Sequence, residues 1–148
     1  MVHFGFKEVN KILVPKPSPI PQISTVLQEL EDFTYATQLC LNIGYYTIRL
    51  DLEASKIYTF ILPWSRYSYE RLPMGITGSP DIFQENMLDL TRQLESVCTY
   101  LDNLIVFSGS NFSDHLEKLT MVLTKLRSTG LQVNVAKGKF AATECEYI

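Results

Sequence analysis

Asp102 and Asn103 stand side by side in Thr99-Tyr100-Leu101-Asp102-Asn103-Leu104, an apolar run interrupted by one carboxylate and one amide. A carboxylate held at the tip of a tight turn can take a hard divalent cation through oxygen, and the neighbouring amide offers a neutral carbonyl. The same two residue types tolerate the left-handed backbone of tight turns, so turn chemistry alone accounts for them equally well. Residues 96–100 and 104–107 on either side are rich in β-branched, aromatic and aliphatic side chains. That composition predicts two strands joined by a turn with Asp102 and Asn103 at its tip.

The elements that must position this turn follow from spacing. Residues 35–41 read as a strand, and residues 47–50, 57–62 and 67–69 as further strands, with turns at 51–55 and 64–66. Ser79 followed by Pro80 predicts a helix start, because the hydroxyl can cap and proline fits the first helical position without losing a needed donor. Phe83, Met87, Leu90 and Leu94 recur at helical spacing and form one buried stripe. A second long helix starts at residues 111–114, turns Leu116, Leu119, Val122, Leu123 and Leu126 to the core and stops at Gly130. His115 falls in its first turn.

Upstream, Pro15, Pro17, Pro19 and Pro21 remove backbone donors and predict an extended connector, although a proline-rich run also suits an aromatic groove. Ser24 or Thr25 can then cap a short helix with Val26, Leu27 and Leu30 on one side, ending near residues 31–33. Strands, helix, hairpin, helix and strand in this order predict an α+β fold, an antiparallel sheet with helices packed on one face.

Beyond the turn, the chain carries Leu39-Cys40-Leu41-Asn42-Ile43-Gly44-Tyr45-Tyr46, then Leu62-Pro63-Trp64, Arg71-Leu72-Pro73-Met74-Gly75 and Ser79-Pro80-Asp81-Ile82-Phe83-Gln84, all before Tyr100. In this order and spacing the motifs resemble the fingers and palm of a reverse transcriptase, in particular that of gypsy-type long-terminal-repeat retrotransposons. The resemblance runs from about Phe6 to Ile148. It implies a palm-like sheet with a partial fingers segment, within one domain whose residues 1–23 are fingers and connector and whose residues 24–148 are palm, stopping before the primer grip. Basic fingers residues, thumb and ribonuclease H regions would lie outside it.

The departures from the family pattern fall on its chemistry. The family joins a primer hydroxyl to a nucleoside triphosphate with two divalent ions held by three carboxylates. Here Cys40 occupies the place of the strand-end Asp, and Asn103 the place of the second turn Asp, leaving Asp102 as the residual catalytic acid and a weak metal contact. A thiol is a soft ligand poorly matched to magnesium, and Asp51 and Glu53 lie too far along the chain to substitute. By the same resemblance, Tyr45 and Met74 correspond to nucleotide-binding positions, and Gln84 and Arg71 to positions beside the template. As plain residues, Tyr45 reads as a half-buried aromatic, Met74 as loop packing, and Gln84 and Arg71 as exposed. The expectation is a retrotransposon-derived domain without polymerase activity, acting as a structural or protein-interaction subunit of a larger assembly. The alternative is a truncated polymerase palm retaining nucleic-acid or nucleotide binding, with Mg²⁺ required only if the family activity persists.

Composition bounds these readings. At 148 residues and 46% apolar the chain suits one core. Thirteen Lys and Arg against 16 Asp and Glu give a net charge of −3, which excludes a strongly basic nucleic-acid binder. Lys125, Arg127, Lys137 and Lys139 make either a local basic patch or a solvated face. Three cysteines without paired spacing point to a reducing, intracellular compartment, and no run of ~20 apolar residues could span a bilayer.

Overall fold

The computed structural model describes residues 6–14, 33–42 and 44–144. The proline-rich connector and the short helix expected after it lie outside the described residues. A short helix α1, Lys7–Ile12, comes first. Strand β1, Tyr35–Asn42, is the centre of a five-stranded sheet in which every pairing is antiparallel. On one side it pairs with β5, Asn103–Ser108, which pairs in turn with β4, Val97–Tyr100. On the other it meets β6, Gln132–Val133, and β7, Lys139–Ala142. A separate hairpin of β2, Thr59–Leu62, and β3, Ser65–Ser68, projects between the first and second halves of the chain.

Alternation along β1 gives the sheet two unlike faces. Leu39 and Leu41 with Leu104 and Val106 of β5 point to the helical side. There they pack on Phe83 and Met87 of α3, Ser79–Thr91, and on Val122 and Leu126 of α4, Phe112–Ser128. Full burial of each such side chain contributes about 1.5–3 kcal/mol, so this layer is what holds helices to sheet. The stripe Phe83, Met87, Leu90 and Leu94 is therefore as the spacing predicts, the first two fully buried and the last two packed at its edge. Opposite, Ala36, Ile105 and Cys98 form a smaller cluster with Phe33 and Phe107.

The core face of α4 differs from expectation. Leu116 and Leu123 are 45% and 38% exposed, while His115, Val122 and Leu126 are buried and Leu119 is packed beside them. Positions 115, 119, 122 and 126 make a single stripe at helical spacing, which places 116 and 123 on the outer side. Asn111 caps this helix through its side chain, accepting from Asp114 N–H at 2.9 Å, and Gly130 follows it with φ +75°. Ser79 does not cap α3. Its hydroxyl donates to Pro73 C=O at 3.0 Å, and Gly78, in a left-handed conformation, precedes the helix.

One expected strand, residues 47–50, and one expected turn, residues 51–55, are something else. Residues 44–47 form a single 3₁₀ turn, closed by the Thr47 hydroxyl donating to Gly44 C=O at 2.6 Å, and only Arg49 bridges to Arg71. Residues 51–55 belong largely to a helix rather than a turn: Asp51 accepts from Ala54 N–H at 2.7 Å and starts α2, Leu52–Ile57. No described helix is long and apolar enough to cross a membrane.

Candidate functional site at the β4–β5 turn

The turn between β4 and β5 has Leu101 and Asp102 at its tip, one residue earlier than expected. Leu101 takes φ +52°, the left-handed conformation the turn requires. Asn103 is already the first residue of β5, paired with Tyr100 on one side and Cys40 on the other. Cys40 and Asn103 are thus direct cross-strand partners, with side chains on the same sheet face. The Cys40 thiol points to Asp102, Sγ lying 3.9 Å from Oδ2. Burial, and then the Asp102 charge beside it, push this thiol's pKa up, with nearby Lys137 working in the opposite direction.

The backbone below is fixed from several directions. Leu41 N–H donates to Asp102 C=O at 2.7 Å, and Asn134 N–H donates to Cys40 C=O at 2.7 Å. Gln84 clamps the turn from within the core, which corrects its reading as an exposed residue. It is 0% exposed, its amide NH₂ donating to Thr99 C=O at 3.1 Å and its Oε1 accepting from Leu101 N–H at 2.6 Å. A glutamine in the first turns of α3 therefore sets the height of the hairpin tip from behind, and both ends of its amide are engaged in doing so.

Tyr45 and Met74 are brought together in a cleft of about 600 Å³, lined also by Asn10, the 75–78 loop and the start of α3. Tyr45 is half-buried and stacks on Phe83 with ring centres 4.8 Å apart. Gly44 makes this possible, since a Cβ there would lie 2.5 Å from the Phe83 ring. Burial, with a smaller contribution from Asp102, raises the Tyr45 phenol pKa. Met74 is 39% exposed on the cleft wall. Asn10 ties α1 to this loop, donating to Gly75 C=O at 2.8 Å and accepting from Thr77 N–H at 2.9 Å. Nothing in the sequence around Asn10 marks it for this. Among the residues lining the cleft, Asp81 is the only charged one.

Arg71 is exposed, and its guanidinium donates to Thr47 C=O at 3.0 Å. Asp51 and Glu53 are engaged locally, the first capping α2 and the second paired with Lys56 at 2.7 Å. A pair of hard divalent ions does not fit the donors at the hairpin: one carboxylate, one thiol and one amide supply a single negative oxygen ligand group. Among the described residues no group of three His, Cys, Asp or Glu could hold a metal ion.

Comparison with known proteins agrees with the architecture. The family model described as reverse transcriptase (RNA-dependent DNA polymerase) matches residues 1–148. The chain is 34% identical over 145 residues to the retrovirus-related Pol polyprotein from transposon opus of Drosophila melanogaster, and 31% identical to that from transposon gypsy of the same organism. Each match covers 97% of this chain and 14% of the relative. Among solved structures, the foamy viral protease-reverse transcriptase in complex with double-stranded DNA superposes with a TM-score of 0.87 at 23% identity, over 97% of this chain and 25% of that one. A second foamy virus protease-reverse transcriptase structure gives 0.78 at 26% identity. The antiparallel sheet with its packed helices is thus that of a palm, and the chain belongs to the reverse transcriptase family.

Proposed function

We propose that this reverse transcriptase domain does not extend primers and serves as a folded scaffold that binds other proteins within a larger assembly. The observation that carries the reading is the direct pairing of Cys40 with Asn103, which leaves Asp102 as the only acid at the turn. Removing two of three anionic ligands removes the means of neutralising charge on a transferring phosphoryl group. The cleft beside the turn, with Asp81 its only charged lining residue, adds no cation that would grip a triphosphate. The packing layer and the Gln84 clamp, by contrast, are complete. Outward apolar residues supply contact area for a partner: Phe112, Leu116 and Leu123 on α4, and Ile61 and Trp64 on the β2–β3 hairpin.

The test is primer extension on a primed template, with magnesium and with manganese, using this chain and a Cys40→Asp, Asn103→Asp double variant. The expected result is no extension by the unmodified chain. Extension that disappears in Asp102→Ala overturns the reading. For the interaction role, a chain that stays soluble and monomeric at high concentration and retains no protein from its native extract speaks against it. A second reading, retained nucleotide binding without chemistry, is favoured by the stacked Tyr45 on the cleft wall, and titration with a nucleoside and its triphosphate addresses it directly.

A further inference from the structure

One buried imidazole joins α4 to three strands. His115 is 0% exposed and lies between two hydroxyls that are themselves buried: Thr37 of β1, whose oxygen is 2.8 Å from Nε2, and Ser108 of β5, whose oxygen is 3.1 Å from Nδ1. The Thr37 oxygen also accepts Ala141 N–H of β7 at 3.0 Å. That bond falls where the β1–β7 ladder is irregular, between the pairing of Ala36 with Ala142 and that of Gln38 with Lys139. Ala141 takes φ +48° there, a left-handed conformation that is costly for an alanine unless its surroundings hold it. Among the described strands β7 pairs with β1 alone, and its Lys139 and Phe140 are exposed, so little else holds it.

Proton counting couples the ring to that strand. A neutral imidazole has one N–H and one bare nitrogen, whereas an imidazolium has two N–H groups and accepts nothing. The shorter contact suits Thr37 O–H donating to Nε2 and the longer one suits Nδ1–H donating to Ser108. In that tautomer the Thr37 oxygen takes a single donor, Ala141 N–H. A second proton, taken from solvent, must sit on Nε2. The Thr37 hydroxyl then turns its own proton away, and its oxygen has to serve a charged donor and Ala141 N–H together. The charge-assisted bond is the stronger of the two. We propose that His115 is an acid-operated latch: protonation at Nε2 draws the Thr37 hydroxyl off Ala141 and frees β7 from β1, while α4, β4 and β5 stay folded. Burial holds the ring's pKa below 6.5, with Asp114 favouring the charge and Lys118 opposing it, so the latch is closed at neutral pH and opens in acid. Those two residues, both on α4, are the charged neighbours. From β1 the Tyr35 ring lies 6.0 Å away and is uncharged in acid, while β5 contributes Ser108 and β7, through Thr37, the Ala141 N–H, neither of which titrates. The latch does not depend on whether the domain polymerises or binds a partner.

Amide hydrogen exchange of the intact chain, read as protection factors from about pH 7 to about pH 5, tests this together with the nitrogen shifts of the His115 ring. Protection at Ala141 should fall about 10-fold, the effect of roughly one pKa unit between the latched and released states. Cys98 and Ile105, paired in the β4–β5 ladder, should keep theirs. The loss at Ala141 should share its midpoint with the ring titration. In Thr37→Val, Ala141 should be poorly protected at every pH. In His115→Gln, which can donate and accept but not titrate, its protection should no longer depend on pH, and His3→Ala should behave as the unmodified chain. Constant protection at Ala141, a loss in step with Cys98 and Ile105, a midpoint apart from that of the ring, or pH dependence surviving in His115→Gln overturns the proposal. The first three outcomes need only the unmodified chain, so a variant that fails to fold does not remove the test.

Discussion

The two faces of the central sheet have been treated differently. On the helical face, Leu39, Leu41, Leu104 and Val106 meet Phe83, Met87, Val122 and Leu126 in a closed apolar layer. On the opposite face, at the hairpin end, Cys40 and Asn103 are cross-strand partners, with the Cys40 thiol turned toward Asp102. One face carries the apolar layer and the other presents the polar end of the hairpin. A metal ligand at an open strand end contributes little to packing, so it can be exchanged without unfolding the domain, whereas an exchange in the layer beneath cannot be absorbed in that way.

The sharpest way to break this comparison is to cut into the supporting layer. Phe83→Ala removes the ring that Tyr45 stacks on and that fills the space left by Gly44, and should cost about 3–5 kcal/mol by chemical denaturation. A loss below about 1 kcal/mol would mean that the helical face does not carry the fold. Gln84→Met keeps the volume but strands Leu101 N–H and Thr99 C=O, and should cost about 1–3 kcal/mol. Hydrogen exchange at Leu101 should accelerate more than the global loss alone requires.

A smaller effect should appear with pH. His115 is fully buried between the Thr37 hydroxyl, 2.8 Å from Nε2, and the Ser108 hydroxyl, 3.1 Å from Nδ1, while Ala141 N–H donates to the same Thr37 oxygen. Burial lowers its pKa below 6.5, with Asp114 opposing and Lys118 assisting. The unfolded chain therefore takes up a proton that the folded one refuses, so this contribution to stability is complete above pH 6.5 and declines as pH falls below it. Denaturation across that range should show the decline, and His115→Asn should flatten it. The smallest effect belongs to the open face. Cys40→Asp with Asn103→Asp crowds three carboxylates together and should shift stability by only about 0.5 kcal/mol, regained on adding magnesium. A shift as large as that of Phe83→Ala would erase the distinction between the faces.

These contrasts also explain what the sequence makes legible. The α3 stripe, the central strand and the hairpin strands are long periodic stretches, and periodicity reports a buried face directly. The outer placement of Leu116 and Leu123 was not legible, because a polar His115 occupies the core position that an apolar residue was expected to mark. Its signal was spacing alone, seven and eleven residues before Val122 and Leu126. Gln84 hid in the same way, as an amide on a buried face whose partners are backbone atoms of another element. The α2 helix did carry a signal, Asp51 ahead of Glu53 and Ala54, outweighed by the β-forming residues around it. The tip of the hairpin moved by one residue because Leu101, rather than an Asp or Asn, takes the left-handed position.

The position of β1 has one more consequence, in the order of synthesis. All of its described sheet partners lie downstream, and the bond between Thr37 and Ala141 spans 104 residues of chain. While the domain is being translated, Leu39 and Leu41 emerge early and have no strand or helix to cover them until most of the chain has followed. Such long closures slow folding and leave an unpaired apolar strand open to other chains. A nascent form of this domain should therefore lean on ribosome-associated chaperones far more than its finished size suggests.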